Sequence, residues 1–240
     1  MKQTILILWV ILACFPSALR AQETTSLHHG WGLGFQLGVG GLLPTSSLGD
    51  DFKGCALFTG GLNIEYNRAR LKLDFSYGQP SFKNGNPYAV VDSQGRDQQL
   101  NATANPTLLG FSFQLGYTVW RQGRLSVTPC VGMTASRLSW DINHIKYEAD
   151  DQGQERPSID DVTGTRENNF DWTASVDFDI KLHGKLVENS LGGEHQVHYT
   201  SSVRISPFVT HAKFKHFNPS IKGCCVGITL SYVGMFSRLL

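Results

Sequence analysis

Along this chain large apolar residues alternate one for one with small neutral ones, in eight separate stretches. In the first, Trp31, Leu33, Phe35, Leu37 and Val39 interleave with Gly32, Gly34, Gln36, Gly38 and Gly40. The fourth sets Phe111, Phe113, Leu115, Tyr117 and Val119 against Gly110, Ser112, Gln114, Gly116 and Thr118. The eighth sets Val226, Ile228, Leu230 and Tyr232 against Gly227, Thr229 and Ser231. Similar stretches lie near Phe58–Tyr66, Leu71–Tyr77, Leu125–Ala135, Trp172–Leu182 and Val197–Val209. Residues two apart on a strand share a face, so each stretch predicts a strand with one greasy side. No helical period competes, and the chain reads as all-β.

The neutral face decides between two kinds of barrel. A soluble sheet fills its wet face with Lys, Glu, Asp and Arg. Here that face carries Gly, Ser, Thr and Gln, and charged residues are only 17% of the chain where about 25% is usual. Small neutral side chains suit a confined lumen, and large apolar ones on all eight strands suit lipid contact. A secreted soluble lipocalin-like barrel would need the opposite arrangement, with the apolar face inward. A net charge of +1 excludes a strongly basic nucleic-acid binder, and 41% hydrophobic residues exclude a disordered chain.

Connection lengths agree. Long segments at Pro44–Cys55, Gln79–Asn105, Ser139–Asn168 and His211–Cys224 alternate with tight turns at Asn67–Arg70 and Arg121–Arg124 and a longer connection at Gly184–His195. That order fits an eight-stranded antiparallel up-and-down transmembrane β-barrel with both termini periplasmic. Placing the first turn at Arg68-Ala69 opposes Tyr66 to Leu71, Glu65 to Lys72 and Asn63 to Asp74. The second requires a three-residue loop, Gln122-Gly123-Arg124, or a bulge. Pro129 and Pro207 remove ladder hydrogen bonds, which places each at a rim or a bulge.

The first 21 residues read as a signal peptide, with Lys2 ahead of the apolar run Ile5–Phe15, too short to span a membrane as a helix. The barrel domain is then 22–240. A lipoprotein box at Ile11-Leu12-Ala13-Cys14 is the alternative, with a lipid on Cys14. Past this segment no apolar run approaches the length of a membrane-spanning helix.

With its export signal, eight alternating stretches and closing strand Val226–Phe236, the chain resembles the small outer-membrane β-barrel family, of the OmpA/OmpX type and the related PorT-like barrels of Gram-negative bacteria. The resemblance covers nearly all of the mature chain and implies an outer-membrane location and insertion by the barrel-assembly machinery. Family members usually end on an aromatic residue; here Phe236 is followed by Ser237-Arg238-Leu239-Leu240.

Candidate chemistry is sparse. Interior charges fall at Glu65, Lys72, Asp74, Asp177, Asp179, Lys181 and Arg204, and charges in a confined lumen must be paired. They read as a network that fills a barrel whose eight strands leave room for little else; a proton or ion path is the sharper alternative. The run from Gly30 to Gly40 fails the G-x-G-x-x-G test, because Leu37 takes the third glycine position. His144, His198 and His211 have no partner at a diagnostic spacing and G-x-S-x-G is absent, so no catalytic, cofactor or metal site is assigned. The Ser139–Asn168 segment sets eight carboxylates against Lys146, Arg156 and Arg166, without EF-hand spacing. The last connection is basic: Lys213, Lys215 and Lys222 with Phe214 and Phe217, a pattern suited to lipopolysaccharide phosphate. Cys55 and Cys224 both fall at the extracellular rim beside strand one, which suggests a disulfide in an exported protein. The function expected is a non-enzymatic outer-membrane barrel, monomeric, with a plugged lumen and a structural or surface-binding role, its partners being outer-membrane lipids and lipopolysaccharide. A lipid-modifying hydrolase or acyltransferase is the alternative.

Overall fold

In the computed structural model the described residues are 30–83, 90–91, 97–98, 106–149, 153–188, 196–213 and 222–238. The signal segment, Cys14 and Lys215 lie outside them.

Eight strands follow one another around a closed sheet: β1 (Trp31–Pro44), β2 (Cys55–Tyr66), β3 (Ala69–Gly78), β4 (Thr107–Tyr117), β5 (Leu125–Ala149), β6 (Glu155–Glu188), β7 (Gln196–Lys213) and β8 (Lys222–Arg238). Each pairs antiparallel with the next, and β8 returns to β1 through pairs from Gly32–Ser237 to Pro44–Cys225. Closure leaves the sheet without an edge.

Alternation sorts the side chains as expected. Leu37, Phe111, Leu115, Val131, Phe170 and Ile228 stand bare on the outside, while Gln36, Gln114, Thr128, Asp177, Arg204 and Ser231 are buried. Aromatic residues gather near the turn end of this outer face, where the Trp31 and Tyr66 rings lie 4.8 Å apart and Tyr199 packs on Phe236 at 4.9 Å. Phe58, Phe75 and Phe170 are exposed toward the other end. An apolar band between aromatic girdles is the surface lipid requires. Small inward residues are enforced by crowding: a Cβ on Gly132 would fall 1.9 Å from the Phe113 carbonyl oxygen, and one on Gly38 2.2 Å from Ser231 Oγ.

The first turn lies one residue earlier than expected, which shifts the pairing by two. Asn67 takes φ 56°, a left-handed conformation that asparagine tolerates, so the turn is Asn67-Arg68. Glu65 therefore opposes Arg70, and Asn63 opposes Lys72. At the second turn a Gly123-Arg124 pair closes the hairpin (Gly123 φ 56°), and the extra residue is absorbed at Thr118-Val119, between β4 and the short strand Trp120–Gln122. Pro129 stands beside that break, opposite Val176. Pro207 is at neither a rim nor a register shift. It sits in mid-strand opposite Ile228, where β6–β7 pairing lapses between Ile205–Phe178 and Phe208–Ser175. The lapse accommodates the missing N–H.

The acidic Ser139–Asn168 segment is not a loop. β5 and β6 stay paired for ten positions beyond Ser139–Arg166, from Trp140–Thr165 to Ala149–Glu155, with one shift beside His144. At about 3.3 Å per residue this ribbon rises roughly 30 Å beyond the barrel. At the opposite end β6 and β7 run on to Glu188–Gln196, shortening the Gly184–His195 connection. A five-residue helix, α1 (Ser47–Asp51), folds over the mouth of the barrel opposite the short turns. Its Leu48 and the following Phe52 join Leu42, Leu57, Leu138 and Ala212 in an apolar cluster. Thr45 and Ser47 tie it to β8 by donating to the carbonyls of Cys224 and Lys222, at 2.6 and 2.7 Å.

Candidate functional site

In the half of the lumen nearer the short turns β2, β3, β6 and β7 bring their inward charges together. Arg70 Nε donates to Glu65 Oε1 at 2.7 Å, while its two terminal nitrogens reach Asp177 Oδ2 at 3.0 Å and Asp179 Oδ2 at 2.8 Å. Lys72 Nζ donates to Asp177 Oδ1 at 3.0 Å and lies 3.6 Å from Asp74. Arg204 donates to Asp179 at 2.6 Å, to Gln36 at 2.7 Å and to Asn63 at 2.8 Å. Ser206 adds a hydroxyl donor to Asp177 at 2.8 Å. Asp177, wholly buried, thus touches all three cations.

Three cations face four carboxylates (Glu65, Asp74, Asp177, Asp179), so the cluster is close to neutral. Buried charges are tolerated only when geometry and extra hydrogen bonds satisfy them, and the amides of Gln36 and Asn63 complete that shell. The cluster occupies the half of the bore nearer the short turns and spans opposite walls, since β3 and β6 are not neighbours.

Six of the seven expected interior charges meet here. Lys181 does not: among the described residues it makes no ion pair. β3 itself starts at Ala69, and Arg70, the hub on the β3 side, lies one residue before the alternating stretch Leu71–Tyr77. Its parity with Lys72 and Asp74 is the signal that places it inside. Gln36 and Asn63 share the inward parity but carry no charge to mark them as members of the cluster.

The histidines are not brought together. His198 lies at the turn end of β7 opposite Ser237, His211 at the other end opposite Cys224, and His144 in the ribbon opposite Asp161. His211 Nδ1 meets Asp171 Oδ2 at 2.5 Å and stacks on Trp172 at 6.2 Å. Among the described residues no group of three His, Cys, Asp or Glu side chains is placed to hold a metal.

The expected Cys55–Cys224 bridge is not formed; Cys55, Cys130, Cys224 and Cys225 are all free thiols. Cys55 opposes Leu42 on β1, which opposes Gly227 on β8. The two cysteines are therefore two strand spacings apart, roughly 9–10 Å, and Cys224 is three residues further along. A disulfide needs Cα atoms within about 7 Å.

Lys213 and Lys222 form the last pair of the β7–β8 hairpin, both exposed. On β5 and β6 the exposed Arg137 and Arg166 lie two and four residues beyond Ala135 and Phe170, and Arg137 donates to Asn168, which stands between Phe170 and Arg166, at 3.0 Å. A basic rim thus crowns the apolar band on four consecutive strands.

No family model matches the sequence, and no curated protein matches it either. Solved structures do. The chain is similar to neisserial surface protein A at 8% identity, covering 88% of this chain and 97% of that one with a TM-score of 0.34. It is also similar to the outer membrane protein OprG from Pseudomonas aeruginosa at 10% identity, over 88% and 96% of the two chains, TM-score 0.38. A third is the outer membrane protease OmpT from Escherichia coli, at 8% identity over 91% and 99%, TM-score 0.33. The closed eight-stranded sheet, its bare apolar exterior and its polar bore give this chain the architecture of a small membrane-spanning β-barrel.

Proposed function

We propose that the protein is a non-enzymatic surface-binding barrel, a monomer that presents its extracellular ribbon and rim to lipopolysaccharide. The observation that carries this reading is the basic rim of Arg137, Arg166, Lys213 and Lys222 directly above the lipid-facing band. Phosphate groups at the top of the outer leaflet would meet these cations first, and Lys215 lies between Lys213 and Lys222 in sequence. Charge-assisted contacts to phosphate are strong and directional for arginine. Passage through the bore has little support, because the ion cluster fills its lower half.

The test is titration of lipopolysaccharide into the refolded protein in phosphatidylcholine vesicles, with a variant replacing Arg137, Arg166, Lys213, Lys215 and Lys222 by Gln. Affinity should fall at least tenfold in the variant, and fall with salt in the wild type. Equal affinity of the two proteins would sink the reading.

One observation favours a second reading, a lipid-modifying enzyme. The His211–Asp171 contact orients an imidazole as a general base requires. Hydrolysis of phospholipid or lipopolysaccharide that vanishes in His211→Ala but survives His198→Ala supports it; absence of turnover in the wild type removes it.

A further inference from the structure

Above the ion cluster and beneath α1 the bore is not full. A cavity of about 140 Å³ remains there. Leu48 and Phe52 roof it, Leu57, Leu138 and Phe208 wall it, and Lys72 and Asp74 lie at its floor. At the level between grease and charge stands Thr59, whose Oγ1 is buried with no hydrogen-bond partner. An orphaned buried hydroxyl is costly and asks for a partner.

We infer that this cavity is a binding site for a small neutral amphiphile, an apolar body of about seven carbon atoms carrying one hydroxyl. Size sets the body: an apolar protein cavity of about 150 Å³ accommodates benzene. The leucines and phenylalanines of the roof and walls reward an apolar body. Thr59 supplies the polar contact for the head. An anionic head is disfavoured because Lys72, the cation that lines the floor, is already held by Asp74 and Asp177, and desolvating an unpaired carboxylate is expensive. A cationic head gains little, because Asp74 is already engaged by Gln36 Nε2 at 2.5 Å and faces Lys72, and desolvating an unpaired ammonium is expensive. The ion cluster closes the bottom, so the site is blind: it retains a ligand on the extracellular side and does not pass it on.

The sides of the barrel offer a clean readout, because leucines divide between the bore (Leu42, Leu48, Leu57, Leu138) and the lipid face (Leu33, Leu37, Leu62, Leu115). Methyl-labelled full-length protein in phosphocholine micelles is titrated with 4-methylphenol, toluene and 4-methylbenzoate. The expected result is a saturable shift of the bore leucines with 4-methylphenol, a weaker one with toluene and none with 4-methylbenzoate. Thr59→Val should weaken 4-methylphenol about tenfold and leave toluene within twofold, and Ala212→Phe, which fills the site, should abolish both. Shifts confined to the lipid-face leucines mean partition into the micelle only and overturn the inference. So do bore shifts that survive Ala212→Phe, or a 4-methylphenol affinity unchanged by Thr59→Val. Electrophoretic mobility before and after boiling confirms that each variant is folded.

Discussion

The two halves of the bore solve the same problem by opposite means. In the lower half Arg70, Lys72 and Arg204 are locked against four carboxylates and two amides, so each side chain has its place dictated by directional bonds. In the upper half Leu42, Leu48, Phe52, Leu57 and Leu138 make a non-directional cluster under a short helix, and a void remains. Directional bonds tolerate no vacancy, because an unpaired buried charge is prohibitive. Apolar contact tolerates one, because a missing neighbour forfeits only its share of dispersion. The lower half thus serves as the rigid plug, and the upper half is where a ligand is accommodated.

The strongest way to break this contrast is Asp177→Ala. It removes the one carboxylate that touches all three cations, and uncompensated buried charge should cost about 3–5 kcal/mol, read from urea unfolding in lipid vesicles. A loss under 1 kcal/mol would mean that the cluster is wet and adaptable, like the half above it. Leu138→Ala, in the upper cluster, should cost about 2–3 kcal/mol, toward the low end for a buried leucine if the neighbouring void lets its surroundings relax. Leu48→Ala sharpens the comparison further. It sits on α1 and not on the barrel wall, so it should speed amide exchange over Ser47–Phe52 at least tenfold while shifting the global unfolding midpoint by less than the Leu138 change does. The smallest effect belongs to Lys181→Ala, within about 0.5 kcal/mol, since it stands outside the ion cluster.

Much of this was legible in the sequence because the period of two is a property of the pleat itself. Once Leu37, Phe111 and Ile228 point outward, Gln36, Gln114 and Thr229 must point in, whatever the register. The register of the first hairpin was less legible, since it depends on which residue accepts a left-handed backbone, and Asn67 does so one position before the expected turn. The ribbon was hidden for a different reason. Its acidic composition resembles a solvated loop, whereas its pairing is fixed by the backbone continuing from β5 and β6. Contacts across the bore were least legible of all. Arg70 and Asp177 are 107 residues apart and meet only because eight strands close into a cylinder. The charges that share the lumen can be read from parity; which one touches which is decided by closure. The cysteine pair is decided on the same ground: Cys55 and Cys224 flank β1, and the two strand spacings and three-residue stagger between them hold them too far apart to bridge.

Every statement about the bore presumes that the apolar face meets lipid and the polar face does not. Paramagnetic broadening by a doxyl-labelled phospholipid, recorded on the methyl spectrum of the reconstituted protein, tests this directly. Leu33, Leu37, Leu62, Leu115 and Leu230 should broaden, and Leu42, Leu48, Leu57 and Leu138 should stay sharp. Sharp lines from the first set, with broadening of the second, would turn the barrel inside out and contradict the account.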